Sequence, residues 1–150
     1  MDLQNLLKDA KIALSAAAAS AAQTAVDGAV IDRTAEGGFG AFAAIASLGD
    51  VTTGSVLQLA WRESDNSDGS SSSAVSGSET SPFTADSTSA DSKLLIAECM
   101  ATNFTKRYIF PRLTRTTANA VVNNIIVVSH LANKKPVTQP SDVIASTLAI

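Results

Sequence analysis

The sequence predicts a mainly β protein: an antiparallel β-sandwich of about six to seven strands, with a short N-terminal helix and an extended C-terminal arm. Three observations lead there. Short apolar or alternating runs recur between turn-forming clusters of Gly, Ser, Asp, Asn and Pro. The pattern shows no long helices alternating with strands, as a parallel α/β sheet requires. Finally, 150 residues at 45% hydrophobic content suffice for one core, because a chain of this size buries about 70% of its unfolded surface. The expected divisions are a helix and linker arm over 1–27, the sandwich over 28–131 and the extended arm over 132–150.

Met1 to about Leu14 carries Leu3, Leu6, Leu7, Ala10 and Leu14 near helical spacing, with Asp2 available as N-cap, so a short amphipathic helix is expected there. The Ser15–Ala22 tract favours helix through its alanines but extends no apolar face, and it is read as a helix that ends early in a linker. From Gly28 the pattern turns β-like. Ala29-Val30-Ile31 is a short apolar run, and Glu36-Gly37-Gly38 leads into Phe39–Ala46, which is apolar on both faces and so belongs in a central strand. Ser55–Arg62 alternates cleanly, with Leu57, Leu59 and Trp61 on one face and Gln58 and Arg62 on the other.

Glu63–Asp91 is rich in Ser, Asp, Gly and Thr and predicts a long exposed loop with one edge strand near Ser81–Ala85. Lys93–Met100 is a strand, and so is Lys106–Arg115, whose Pro111 lacks a ladder donor and marks an edge or a bulge. Asn119–Leu131 is the most β-branched run, with a kink expected at Asn123-Asn124. Beyond it, Pro136 and Pro140 in extended context suggest an arm lying on another surface.

A net charge of −3 offers no broad basic surface for a phosphate backbone, so no direct nucleic-acid role is expected. Asp2 stands where a signal peptide carries positive charge, and no apolar run approaches the roughly 18 residues of a membrane span, so neither membrane insertion nor export is expected and the chain is placed in the cytoplasm. Cys99 is alone in an apolar stretch, which reads as a buried thiol.

Catalysis needs a positioned acid, base or nucleophile, and the residues supply little for it. His130 ends an apolar strand and receives no role. Glu63-Ser64-Asp65-Asn66-Ser67-Asp68-Gly69 lacks the spacing of a calcium loop and reads as solvated turn. Asn103-Phe104-Thr105 is a chance glycosylation match. No catalytic, cofactor-binding or metal-ligating residue is assigned. The densest basic patch, Lys106-Arg107-Tyr108 with Arg112 and Arg115, reads first as a solvated face, with an acidic protein partner as its functional alternative.

Several motifs fall in a recurring order: Asp2–Lys8, Val30-Ile31-Asp32, Gly38–Phe42, a Ser/Asp-rich variable loop, Asp91–Leu95, Lys106-Arg107-Tyr108 into Arg112–Arg115, Thr117–Val122, and Lys134–Gln139. In this order the chain resembles a family of small tailed-phage proteins that serve as head decoration or cement proteins beside the major capsid protein; Phe110-Pro111 and His130–Asn133 depart from the family pattern. The resemblance implies a virion role at the head surface, the major capsid protein as partner, and no catalytic residues. On that reading the partner-facing residues are Leu3, Leu6 and Leu7 of the helix, Arg107 and Tyr108 of the basic strand, and Lys134, Lys135, Pro136 and Val137 of the arm. Extended arms and exposed sheet edges also call for self-association, as a dimer or trimer. A receptor- or glycan-binding module on the virion surface is the second reading, weakened by an aromatic content of only 5%.

Overall fold

The computed structural model describes residues 6–35, 38–87, 90–133, 137–141 and 143. Among them one short helix, α1 (Leu6–Asp9), is followed by eleven strands: β1 (Lys11–Ala16), β2 (Ala19–Ala22), β3 (Val26–Asp27), β4 (Ile31–Asp32), β5 (Phe39–Val51), β6 (Val56–Ser64), β7 (Ser73–Ala74), β8 (Phe83–Thr84), β9 (Leu94–Met100), β10 (Tyr108–Thr116) and β11 (Ala120–Ala132). A 3-10 turn, Ala101–Asn103, joins β9 to the approach to β10. The chain is thus an antiparallel β-sandwich with a short helix before it.

Sheet A has the order β1-β11-β5-β9, with β2 continuing β1 along β11; sheet B has the order β3-β10-β6-β7, with β4 beside β10 and β8 beside β6. Each sheet therefore has four strand positions, and the chain crosses between the sheets from one position to the next except from β6 to β7 and β8, which share sheet B. This is the jelly-roll arrangement. The core between the sheets holds Phe42, Leu48, Leu57, Leu59, Trp61, Ile109, Leu113, Ile125 and Val127, all buried. Phe42, Trp61 and Phe104 meet edge to face with centroids 5.8 to 6.1 Å apart. The Trp61 indole donates across the sandwich to the Ala97 carbonyl at 3.0 Å, which gives the buried indole N–H the partner that it needs.

Four sequence expectations are corrected. The helix expected to run to Leu14 ends at Asp9, and the tract read as helix end and linker is strand, so the sandwich begins at Lys11 and not at residue 28. Lys11–Leu14 pair residue for residue with Ser129–Ile126, and this tertiary pairing with the β-branched β11 overrides alanine's helix preference. Second, Glu63–Asp91 is mostly exposed loop with its edge strand present as β8, as expected, but it also holds a further short strand, β7, and is tethered to sheet B rather than free. It lies along β6 through β7 and β8, where Trp61 N donates to Ser78 Oγ at 3.1 Å and Leu59 N to Thr80 Oγ1 at 3.1 Å, burying Val75, Ser78, Ala85 and Ala90.

Third, Pro111 is in a central strand, β10, and not at an edge. Its carbonyl accepts from Gly28 N at 2.8 Å, so its missing N–H faces the same side, and there the neighbouring edge strand is split into β3 and β4. A Cβ on Gly28 would collide with Ser15 Oγ and with Pro111 Cγ, so this crossing needs glycine. Fourth, the arm is not wholly detached, since Val137 and Gln139 lie against α1 and β1. The kink at Asn123-Asn124 is present as a register shift of β11 against β5, where the Asn123 amide donates to the Leu48 carbonyl at 2.9 Å.

Candidate functional site

Of the nine residues singled out as partner-facing, Leu3, Lys134, Lys135 and Pro136 lie outside the described residues. The other five, Leu6, Leu7, Arg107, Tyr108 and Val137, come together at one end of the sandwich. β1 starts there opposite the end of β11, and β10 starts there opposite β4 and the end of β6. The two sheets meet at this end around a cleft of about 300 Å³ lined by Lys11, Ile31, Asp32, Phe39, Ser129 and Pro140, among others.

The chain's two terminal segments are joined at this end by one side chain. The Gln139 amide donates to Leu7 O at 3.1 Å and Ala10 O at 2.6 Å, and its oxygen accepts from Ile12 N at 3.1 Å. Val137 N donates to Lys8 O at 2.9 Å. Carbonyls that a short helix leaves without intrahelical partners are thereby satisfied. Leu6 stays exposed beside this clasp.

Arg107 forks onto Asp32, with Nε at 3.0 Å and Nη2 at 2.6 Å, and lies 5.2 Å over the Tyr108 ring. The Arg107 guanidinium, with the Thr34 hydroxyl, holds the Asp32 carboxyl far below the usual carboxylate range. Lys106 reaches Asp65 at 3.4 Å, and Arg112 forks onto Asp27. Arg115 turns inward and donates to the carbonyls of Ser20, Thr24 and Ala120. The basic run is therefore not one positive face: it is a set of local ion pairs plus one buried cross-brace.

The outer faces of the two sheets differ in chemistry. Sheet B presents Asp27, Arg112, Gln58, Thr114 and Arg62 in register. Sheet A presents two mainly apolar rows across all four strands, Leu14–Ile126–Ile45–Ile96 and Ile12–Val128–Ala43–Glu98, and a shorter row across β11, β5 and β9, His130–Ala41–Met100, of which only Met100 is exposed. Leu94 and Ile96 are 60% and 57% exposed, Leu14 48% and Met100 46%. Sequence reasoning missed this face. Its signal was available in β9, where Leu94–Met100 is apolar at every position but Glu98, leaving one apolar set outward whichever way the strand faces.

The remaining titratable groups are structural in their settings. Burial pushes the Glu63 carboxyl up, but hydrogen bonds from Thr105 Oγ1, Lys106 N and Thr105 N at 2.7 to 3.0 Å outweigh it, and the net shift is downward. Burial pushes the Cys99 thiol up, which disfavours the reactive thiolate. His130, buried, bonds through Nε2 to Glu98 at 2.7 Å. The acidic turn closes on itself, with Asp68 Oδ1 accepting from Ser70 N at 2.9 Å and the Asn66 amide donating to Ser70 Oγ. Among the described residues no group of three or more His, Cys, Asp or Glu is placed to hold a metal ion, and no helix is long and apolar enough to cross a membrane.

No protein-family model matches the chain, and no curated protein matches it either. Among solved structures it is similar to the Eiger TNF of S. frugiperda, with a TM-score of 0.39 and 12% identity over 89% of this chain and 98% of that one.

Proposed function

We propose that this chain is a structural protein of a tailed-phage virion, a decoration or cement protein that docks on the outside of the capsid lattice through the end of the sandwich that carries both terminal segments. The observation that carries the reading is the gathering of Leu6, Leu7, Val137, Arg107 and Tyr108 at that one end, with the segments before β1 and after β11 bound to each other. A domain fixed by one end can extend terminal segments to neighbouring subunits, and each contact becomes effectively intramolecular once the first is made. Many modest interfaces then resist internal pressure together. The ordered motifs along the chain, which resemble the decoration family, point to the same role and to the major capsid protein as partner. A glycan-binding role loses its best platform, since Trp61 is fully buried in the core.

Co-sedimentation with heads assembled from the capsid protein of the same phage, before and after expansion, tests this. Saturable binding at a fixed ratio to capsid subunits is expected. Failure to bind either form would move the protein to the tail or to host recognition.

A further inference from the structure

We infer that the outer face of sheet A is the surface on which this chain pairs with a second copy of itself. The inference stands on the face's own chemistry and holds whatever surface the terminus-bearing end meets. Across the face, cross-strand pairing sets Leu14, Ile126, Ile45 and Ile96 in one continuous row, with Ile12, Val128 and Ala43 in the next. Its ends are polar, with Ser47 and Asn124 on one side and His130 with Glu98 on the other. An apolar centre within a polar rim is the anatomy of a protein interface.

Area and charge select the occupant. Four strands about 4.8 Å apart and seven residues rising about 3.4 Å each give a footprint of roughly 450 Å². That footprint, polar ends included, falls within the size of the largest patch on a typical monomer, about 300–600 Å², which is often functional. Two such faces together cover roughly 900 Å² in plan, close to the approximately 1,000 Å² that a specific interface needs, and the relief of the protruding leucine and isoleucine side chains adds to the plan area. The one carboxylate on these rows, Glu98, is already bonded to His130 of its own chain, so a charged partner finds little to answer it, whereas an identical neutral face does. Two antiparallel sheets pack face to face about 10 Å apart by interdigitating such side chains. β9 adds a second reason: on this face it leaves Leu94, Ile96 and Met100 exposed to solvent.

Sedimentation equilibrium of the full chain over a wide concentration range is the test, with Leu14→Arg and Ile96→Arg as variants. Both side chains point out of the sandwich, so folding survives, as near-ultraviolet dichroism around Trp61 reports. The wild type is expected to associate, each variant to weaken association about a hundredfold or more, and Thr114→Arg on the opposite sheet to leave it unchanged. A wild type that stays monomeric overturns the proposal, as do Arg variants that associate like the wild type. Slow amide exchange over β9 in such a monomer would assign the cover to the chain's own residues 144–150. Loss of head binding in L14R and I96R alone would assign it to the capsid protein.

Discussion

Glu63 and Arg115 are buried charges that hold opposite ends of sheet B's two central strands in place. Glu63 collects three donors from Thr105 and Lys106, and Arg115 supplies three carbonyls: Ser20 in β2, Thr24 in the β2–β3 connection and Ala120 in β11. Removing either side chain strands the partners it satisfied, at about 2 to 4 kcal/mol for Glu63→Ala and a similar cost for Arg115→Ala, measured by chemical denaturation followed through Trp61. Glu63 and Asp32 both have folded pKa values below their ordinary ones. For a carboxyl held low, the stabilisation is complete above the unfolded pKa and is lost as pH falls through the folded one. Stability should therefore be level above about pH 5 and decline below about pH 4, with a shallower acid slope in Glu63→Gln. At Cys99, burial and a raised pKa predict that a thiol reagent labels the native protein only at the rate of its unfolding.

Among the elements, those legible in the sequence are the ones whose side-chain pattern and tertiary role agree. β6 alternates, β11 is β-branched, and β5 is apolar on both sides because one side is core and the other is the open face of sheet A. β1 was illegible because Leu7, Ala10 and Leu14 also fit a helical stripe, and only the partner strand, more than 100 residues away in sequence, decides between the two. β7 escaped notice because it is two exposed residues, Ser73-Ala74, held only by backbone pairing with Glu63 and Arg62 of β6, too short and too polar to leave a pattern. That Leu6, Arg107 and Val137 share one end was not legible, since long-range strand pairing alone sets it; nor was the sheet A face, since an apolar run does not say which side meets solvent. The terminal clasp yields its own prediction. Gln139→Ala removes three hydrogen bonds and should speed amide exchange at Ile12 and Val137 at least tenfold, while Gln139→Glu, which turns an acceptor toward two carbonyls, should open the clasp further.

For the whole molecule, the jelly roll places nearly every strand beside one distant in sequence. β11 fills the position between β1 and β5, and β10 fills the position between β3/β4 and β6. A chain cut after Ala118 loses the shared neighbour of β1 and β5, and it should show no cooperative unfolding transition and no fixed dichroism from Trp61. The same order governs synthesis. At about 5–20 residues per second, β1 and β5 leave the ribosome seconds before the strand that joins them, so the nascent chain carries the core residues Phe42, Ala44 and Leu48 unsheltered until residue 132 has emerged. Folding of sheet A is then a late event, completed only once β11 is free to enter between β1 and β5.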